Sequence, residues 1–121
     1  MNSRTDIRDR NDIRVLVHTF YSAIRSDADL APVFALRIAD DAWGPHLERM
    51  TLFWSHILLQ EPGFTGNPFQ KHVGLPVTGP LFDRWLTLWH ETVRSLYDGP
   101  RADEAMQKAR NIADVFRTRL C

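Results

Sequence analysis

The sequence predicts an all-α domain, and three observations support that prediction. Apolar residues recur at the three-and-four spacing of a helix face along nearly the whole 121-residue chain. No segment alternates apolar and polar residues with the period of two that a strand requires. Residues 61–80 hold four of the seven prolines and four of the six glycines, so this segment cannot form a long helix. The length fits one domain over residues 1–121, with a short polar segment at about 1–11.

The first half of the chain predicts two helices. One is expected from about Asp12 to Arg25, where the apolar stripe ends before an Asp-rich turn. A short helical turn around Leu30–Phe34 follows, and Pro32 suits its first turn. The stripe of the first helix consists of Ile13, Leu16, Val17, Phe20, Tyr21 and Ile24.

Three more helices are expected after that turn. The next begins with Asp40 or Asp41 as its N-cap, tolerates Pro45 in its first turn, and stops at Pro62-Gly63. Another opens at Phe82 and ends at Gly99-Pro100. The last runs from about Ala102 to Leu120, and its stripe is rich in alanine, which permits close helix packing.

Composition excludes several functional classes. The 15 basic and 15 acidic residues give a formal net charge of zero, which does not favour a nucleic-acid partner. The uncharged apolar runs are too short to span a bilayer, and the polar N-terminus does not resemble a signal peptide. The single cysteine, Cys121, excludes an internal disulfide and fits a reducing cytoplasm.

The segment around His72 is the most informative part of the chain. It reads Gly66-Asn67-Pro68-Phe69-Gln70-Lys71-His72-Val73-Gly74-Leu75-Pro76 and lies between two amphipathic helices. A proline-rich loop of this length in a compact domain is usually functional. No second ligand stands at a zinc-binding spacing from His72. One protein ligand suffices for iron when a macrocycle supplies the other four, so the pattern suggests haem.

The remaining histidines differ in their expected environments. His18, His56 and His90 lie off the apolar stripes and are expected to face solvent. His46 lies on the stripe, one turn before Met50, where it is either a hydrogen-bonded core histidine or a group beside a ligand. Tyr21 and Trp85 also carry polar tips on inward stripes, aimed either at backbone carbonyls or at a shared ligand.

Taken in order, these motifs resemble the truncated haemoglobins, and within them the group III type. The resemblance extends from about residue 11 to residue 120 and rests on the ordered set rather than on any one piece. The motifs are Phe20-Tyr21-x-x-Ile24-Arg25-x-Asp27-x-x-Leu30-x-Pro32-Val33-Phe34, Trp43-x-x-His46-x-x-x-Met50-x-x-Phe53-Trp54, Gly66-Asn67-Pro68-x-x-Lys71-His72 and Phe82-x-x-Trp85-Leu86-x-Leu88-Trp89.

The resemblance implies a shortened globin with two helix pairs packed two over two around haem b. It implies His72 as the proximal iron ligand, and Arg49 and Lys71 as partners of the two propionates. The implied distal pocket contains Tyr21, His46, Met50 and Trp85, and the implied porphyrin walls are Phe34, Phe53, Trp54, Phe69, Leu75 and Phe82. The paired glycine motifs that shape ligand tunnels in longer truncated globins are not evident.

The resemblance also implies reversible binding of O2, NO and CO. Donors aimed at a bound ligand slow its release, so this pocket suits chemistry better than bulk oxygen transport. The expected reactions are dioxygenation of NO to nitrate or reduction of peroxide, with electrons from an external reductase, since the chain has no flavin or nicotinamide motif. Two alternatives stay open: a haem-based ligand store or sensor with a protein partner, and a haem-free helical interaction module.

Overall fold

The computed structural model describes residues 4–35, 38–62 and 79–120, with backbone alone for residues 79 and 115–120. Within these ranges the chain is helical and contains no strand, which confirms the all-α prediction. Helices α1 (Arg10–Ser26), α2 (Ala31–Ala35), α3 (Trp43–Leu59), α4 (Gly79–Leu96) and α5 (Pro100–Leu120) follow in order. Helix α1 packs on α3 and also crosses α4, while α4 pairs with α5. No described helix is long and apolar enough to span a membrane.

Helix α1 begins two residues earlier than the apolar stripe suggested. Asp9 is its N-cap, and the Asp9 carboxylate accepts a hydrogen bond of 3.0 Å from the amide of Asp12. Asp12 is itself buried, and hydrogen bonds from the Arg8 amide at 2.9 Å and the Arg8 guanidinium at 3.3 Å offset the cost of burying its carboxylate. The expected stripe from Ile13 to Ile24 is buried, as predicted.

Asp27 fixes the turn between α1 and α2. Its carboxylate accepts from the amides of Asp29 and Leu30 at 3.1 and 3.0 Å, and from Arg84 of α4 at 2.9 Å. Burial acts to raise the pKa of Asp27, but these hydrogen bonds outweigh it and the pKa lies below its usual range. One side chain therefore closes the turn and ties it to α4.

The expected ends of α3 are wrong in two details. Asp40 and Asp41 do not cap it, because they belong to a short 3-10 turn over Asp40–Ala42, and the helix starts at Trp43 without a side-chain cap. The helix ends at Leu59, before the Pro62-Gly63 pair. Gln60 adopts a left-handed conformation with φ of 58°, and its amide bonds to the His56 carbonyl at 3.1 Å.

The N-terminal segment, which the sequence predicts only to be polar, packs into the fold from residue 4 onward. Ile7 is fully buried, and the Asp6 carboxylate accepts from the amides of Arg101 and Ala102 at 3.0 and 2.9 Å. Gly99 has a φ of 144°, and a Cβ there would lie 2.6 Å from Asp6 Cβ. The chain between α4 and α5 therefore needs both a glycine and the Asp6 carboxylate.

Aromatic rings join α1, α3 and α4 at the centre of the core. Phe20 meets Trp89 edge-on at 4.8 Å and Trp85 at 5.6 Å between ring centroids. Trp89 stacks on Trp54 at 4.5 Å and 22°. The Trp89 indole donates to the Ala105 carbonyl of α5 at 3.0 Å, so the largest fully buried side chain has its polar group satisfied.

We predict that Asp6→Ala lowers the free energy of unfolding by about 1 kcal/mol, because the two first-turn amides of α5 lose their acceptor. Denaturant titration followed by circular dichroism measures this. Asp6→Asn retains an acceptor oxygen and should lose less. Asp41→Ala removes an exposed carboxylate and serves as the control. Equal stability of Asp6→Ala and the wild type would contradict a capping role for Asp6.

Candidate functional site

Three buried ring side chains meet where α1 faces the start of α3. The ring centroid of His46 lies 5.0 Å from that of Tyr21 at 83° and 5.6 Å from that of Trp43 at 87°. The Tyr21 and Trp43 centroids are 5.7 Å apart. We call these three residues the distal cluster. Three side chains that carry hydrogen-bonding groups are thereby brought together within a largely apolar core.

The local sequence explains why these side chains point inward. Tyr21 follows Phe20 on the buried stripe of α1, and the Phe34 ring of α2 lies 6.2 Å from its centroid. Trp43 and His46 are three residues apart on the first turn of α3, so they share one helix face. Sequence reasoning missed Trp43 as a site residue, although it lies on the same stripe as His46.

Burial determines the protonation state of Tyr21. The side chain is 4% exposed, and desolvation raises the pKa of its phenol far above the ordinary value of about 10. The phenol therefore stays protonated at neutral pH and can donate a hydrogen bond.

Trp85 reaches the distal cluster through Phe20 rather than directly. The Phe20 ring lies 5.0 Å from Tyr21 and 5.6 Å from Trp85, both edge-on. Trp85 is half-buried on α4 and packs against the main hydrophobic cluster of the described residues and against a smaller one around Phe82. Its position is compatible with a site between α1 and α4, next to the Tyr21 side chain.

The other residues expected around the ligand fall into two groups. Those within the described ranges are buried or half-buried: Phe34, Met50, Trp54 and Phe82 are buried, and Arg49 and Phe53 are half-buried. Phe82 belongs to a smaller cluster with Ala113 of α5. Phe69, Lys71, His72 and Leu75 lie outside the described residues, so their assignment stays a prediction.

Three histidines were expected to face solvent, and two of them do. His18 and His56 are exposed. His90 was expected to face water but is half-buried, with Nε2 buried, because α5 packs against this side of α4. Burial lowers the pKa of His90, and Arg110 and Arg94 lower it further, while the backbone of Met106 acts in the opposite direction.

Known proteins identify the family of this fold. No family model matches the chain. A group 3 truncated haemoglobin of Campylobacter jejuni is 32% identical over 114 residues, covering 92% of this chain and 90% of that protein. The chain belongs to the group 3 truncated haemoglobins. The crystal structure of a group III truncated haemoglobin from the same organism superimposes with a TM-score of 0.86 and 30% identity, covering 98% of this chain and 96% of that one.

Membership confirms the predicted truncated globin fold and makes the chain a globin-type haem protein. It argues against the haem-free interaction module that the sequence left open. The distal cluster fits a haem group, since a protonated Tyr21 phenol and the His46 ring lie among buried apolar side chains. That is the environment in which a few placed donors orient a small ligand.

We predict that neither tyrosine of the folded protein ionises near pH 10, the ordinary value. Burial raises the pKa of Tyr97 to about 12 and that of Tyr21 further still. Near-ultraviolet absorbance of tyrosinate during alkaline titration measures this, with protein unfolded in guanidinium as the reference.

This shift also sets the pH dependence of stability. Above pH 10 the unfolded chain loses phenolic protons that the folded chain keeps, so the free energy of unfolding should fall as pH rises from about 10 towards 12. The chain has two tyrosines. If half of the tyrosinate signal appeared near pH 10, one tyrosine would be solvated and the prediction would be wrong for it.

Proposed function

We propose that this truncated haemoglobin binds haem b and reversibly binds O2, NO and CO in a hydrogen-bonding distal pocket. The observation that carries the proposal is the edge-on contact of Tyr21 and His46 at 5.0 Å within the buried core. The family membership supports haem and small gas ligands in general terms. The lone cysteine, which is typical of proteins in a reducing compartment, supports a cytoplasmic location.

The proposed ligands and walls of the haem come from both halves of the chain. His72 is the proposed proximal ligand of the iron, and Arg49 and Lys71 are the proposed partners of the propionates. The proposed porphyrin walls are Phe34, Phe53, Trp54, Phe69, Leu75 and Phe82, and Met50 belongs to the proposed distal pocket. Burial of Phe34, Trp54 and Phe82 agrees with a wall, because an apolar wall excludes water from the iron.

The proposed mechanism assigns hydrogen-bond donation to Tyr21, His46 and Trp85. Haem, when bound, supplies an iron atom that holds a diatomic ligand and shifts electron density onto it. The Tyr21 phenol donates, because burial keeps it protonated. Trp85 offers an indole N–H from α4, and His46 offers a ring nitrogen from α3. A hydrogen bond to a charged group contributes about 1.5–3 kcal/mol, so each donor slows ligand release by about one to two orders of magnitude.

Slow release favours a reaction over transport. We propose dioxygenation of NO, in which NO, O2 and one electron give nitrate, or reduction of peroxide, in which two electrons and two protons give two waters. An external reductase supplies the electrons. Turnover of NO or peroxide with a reductase distinguishes this enzyme from a ligand store or sensor, which would bind the same ligands without consuming them.

Replacing the proposed proximal ligand tests haem binding. We expect the wild type to show a Soret band in the ferric and dithionite-reduced states, and His72→Ala to lose or collapse it. His56→Ala, at an exposed histidine of α3, is the matched control and should keep the wild-type spectrum. An unchanged Soret band in His72→Ala would remove His72 as the iron ligand.

Replacing Tyr21 tests the distal pocket. Tyr21→Phe should raise the O2 dissociation rate by about 10- to 100-fold, measured by stopped-flow displacement with CO. Tyr97→Phe is the matched control, since its hydroxyl donates to the Asp12 carbonyl at 2.7 Å, away from the distal cluster. Tyr97→Phe should lower the free energy of unfolding and leave the O2 dissociation rate unchanged. Equal rates in wild type and Tyr21→Phe would exclude Tyr21 as a donor.

A further inference from the structure

A groove of about 570 Å³ lies between α1 and the start of α3, on the outer side of the distal cluster. One wall carries Tyr21 and polar side chains of α1, and the other consists of Trp43 and Leu47 of α3. We call it the α1–α3 groove. Its volume falls within the range of about 300–1,000 Å³ typical of small-molecule sites.

The polar wall is a regular helix face with a cation at its end. His18, Ser22 and Arg25 are spaced by four and three residues, so they lie along one side of α1 and all face the groove. Ser26 follows Arg25 at the same end. A guanidinium beside hydroxyl groups provides a planar fork of donors, which matches the two oxygens of a carboxylate.

Arg25 is oriented by the opposite wall. Its guanidinium carbon lies 4.7 Å from the centroid of the Trp43 ring, a cation–π contact. A second contact is with Asp40, where the nearest nitrogen and oxygen are 3.9 Å apart. Both side chains of that ion pair are exposed, so the pair contributes little and Asp40 is readily replaced by another anion.

We propose that the α1–α3 groove binds a small organic carboxylate, with its carboxylate on Arg25 and its apolar body against Trp43 and Leu47. The volume argues for an organic body, because an inorganic anion would fill only a small part of the groove. Trp43 is only 6% exposed, so the half-buried Leu47 supplies much of the apolar surface that this body would contact. The groove shares Tyr21 with the proposed distal pocket, but Arg25, Ser22 and Leu47 are not among the residues proposed to hold haem.

The test is a titration followed by nuclear magnetic resonance of the tryptophan indole N–H groups. The protein is used as purified, reduced under CO, and the Trp43 signal is identified by its absence in Trp43→Phe. Benzoate is the probe, benzyl alcohol is the uncharged probe with the same ring, and nitrate is the inorganic planar oxyanion. Benzoate is expected to shift the Trp43 signal saturably, while the other two bind at least about 10-fold more weakly.

Two variants of the groove and one control complete the test. Arg25→Gln should weaken benzoate binding by about 10-fold or more, because the charged fork is lost. Asp40→Asn should tighten it, since the competing carboxylate is removed. Arg14→Gln is the control, because Arg14 is also on α1 and pairs with Glu48 of α3 at 3.7 Å, but it does not line the groove.

Each outcome decides the proposal independently of the haem chemistry. Equal binding of benzyl alcohol would overturn the role of Arg25, and equal binding of nitrate would overturn the organic part of the ligand. Absence of a saturable Trp43 shift, or an equal loss in Arg14→Gln and Arg25→Gln, would overturn the site. A protein without a Soret band would contradict the haem proposal while leaving the titration interpretable.

Discussion

The contact of Phe20 with two tryptophans of α4 is the constraint on which the site depends. The ring of Phe20 meets Trp89 and Trp85 edge-on, and Trp89 stacks on Trp54 of α3, so aromatic rings join α1, α3 and α4. Aromatic pairs of this kind have preferred orientations as well as favourable burial. Because Tyr21 follows Phe20 directly, fixing the rotation of α1 about Phe20 also aims Tyr21 at His46.

That arrangement resolves a conflict between stability and function. A buried phenol and a buried imidazole stabilise a core less well than apolar groups of similar size. Here their rings still contribute, since His46 packs edge-on against Tyr21 and Trp43, and the Tyr21 and Trp43 rings lie tilted against each other. The apolar area of the rings is buried, and burial keeps the Tyr21 phenol protonated. The distal cluster is thus part of the core and, in the proposed function, also part of the ligand pocket.

The sequence was sufficient to predict which side chains are buried wherever packing follows from helix periodicity. The stripes containing Phe20, Tyr21, His46 and Trp89 predicted which faces are buried, and the ordered motifs predicted the family. Helix ends were less predictable. Asp40 and Asp41 have the chemistry of caps, yet a 3-10 turn comes first, and Gln60 ends α3 through a left-handed residue that its sequence does not signal. His90 was misjudged because its burial depends on how closely α5 approaches α4.

The docking of residues 4–9 against the α4–α5 junction has a consequence for the order of events during synthesis. The amides of Arg101 and Ala102 follow their acceptor, Asp6, by 95 and 96 residues along the chain. Synthesis proceeds from the N-terminus, so Asp6 and Ile7 leave the ribosome well before these partners exist. Ile7, fully buried in the finished fold, therefore takes up its docked position only after the start of α5 has been translated.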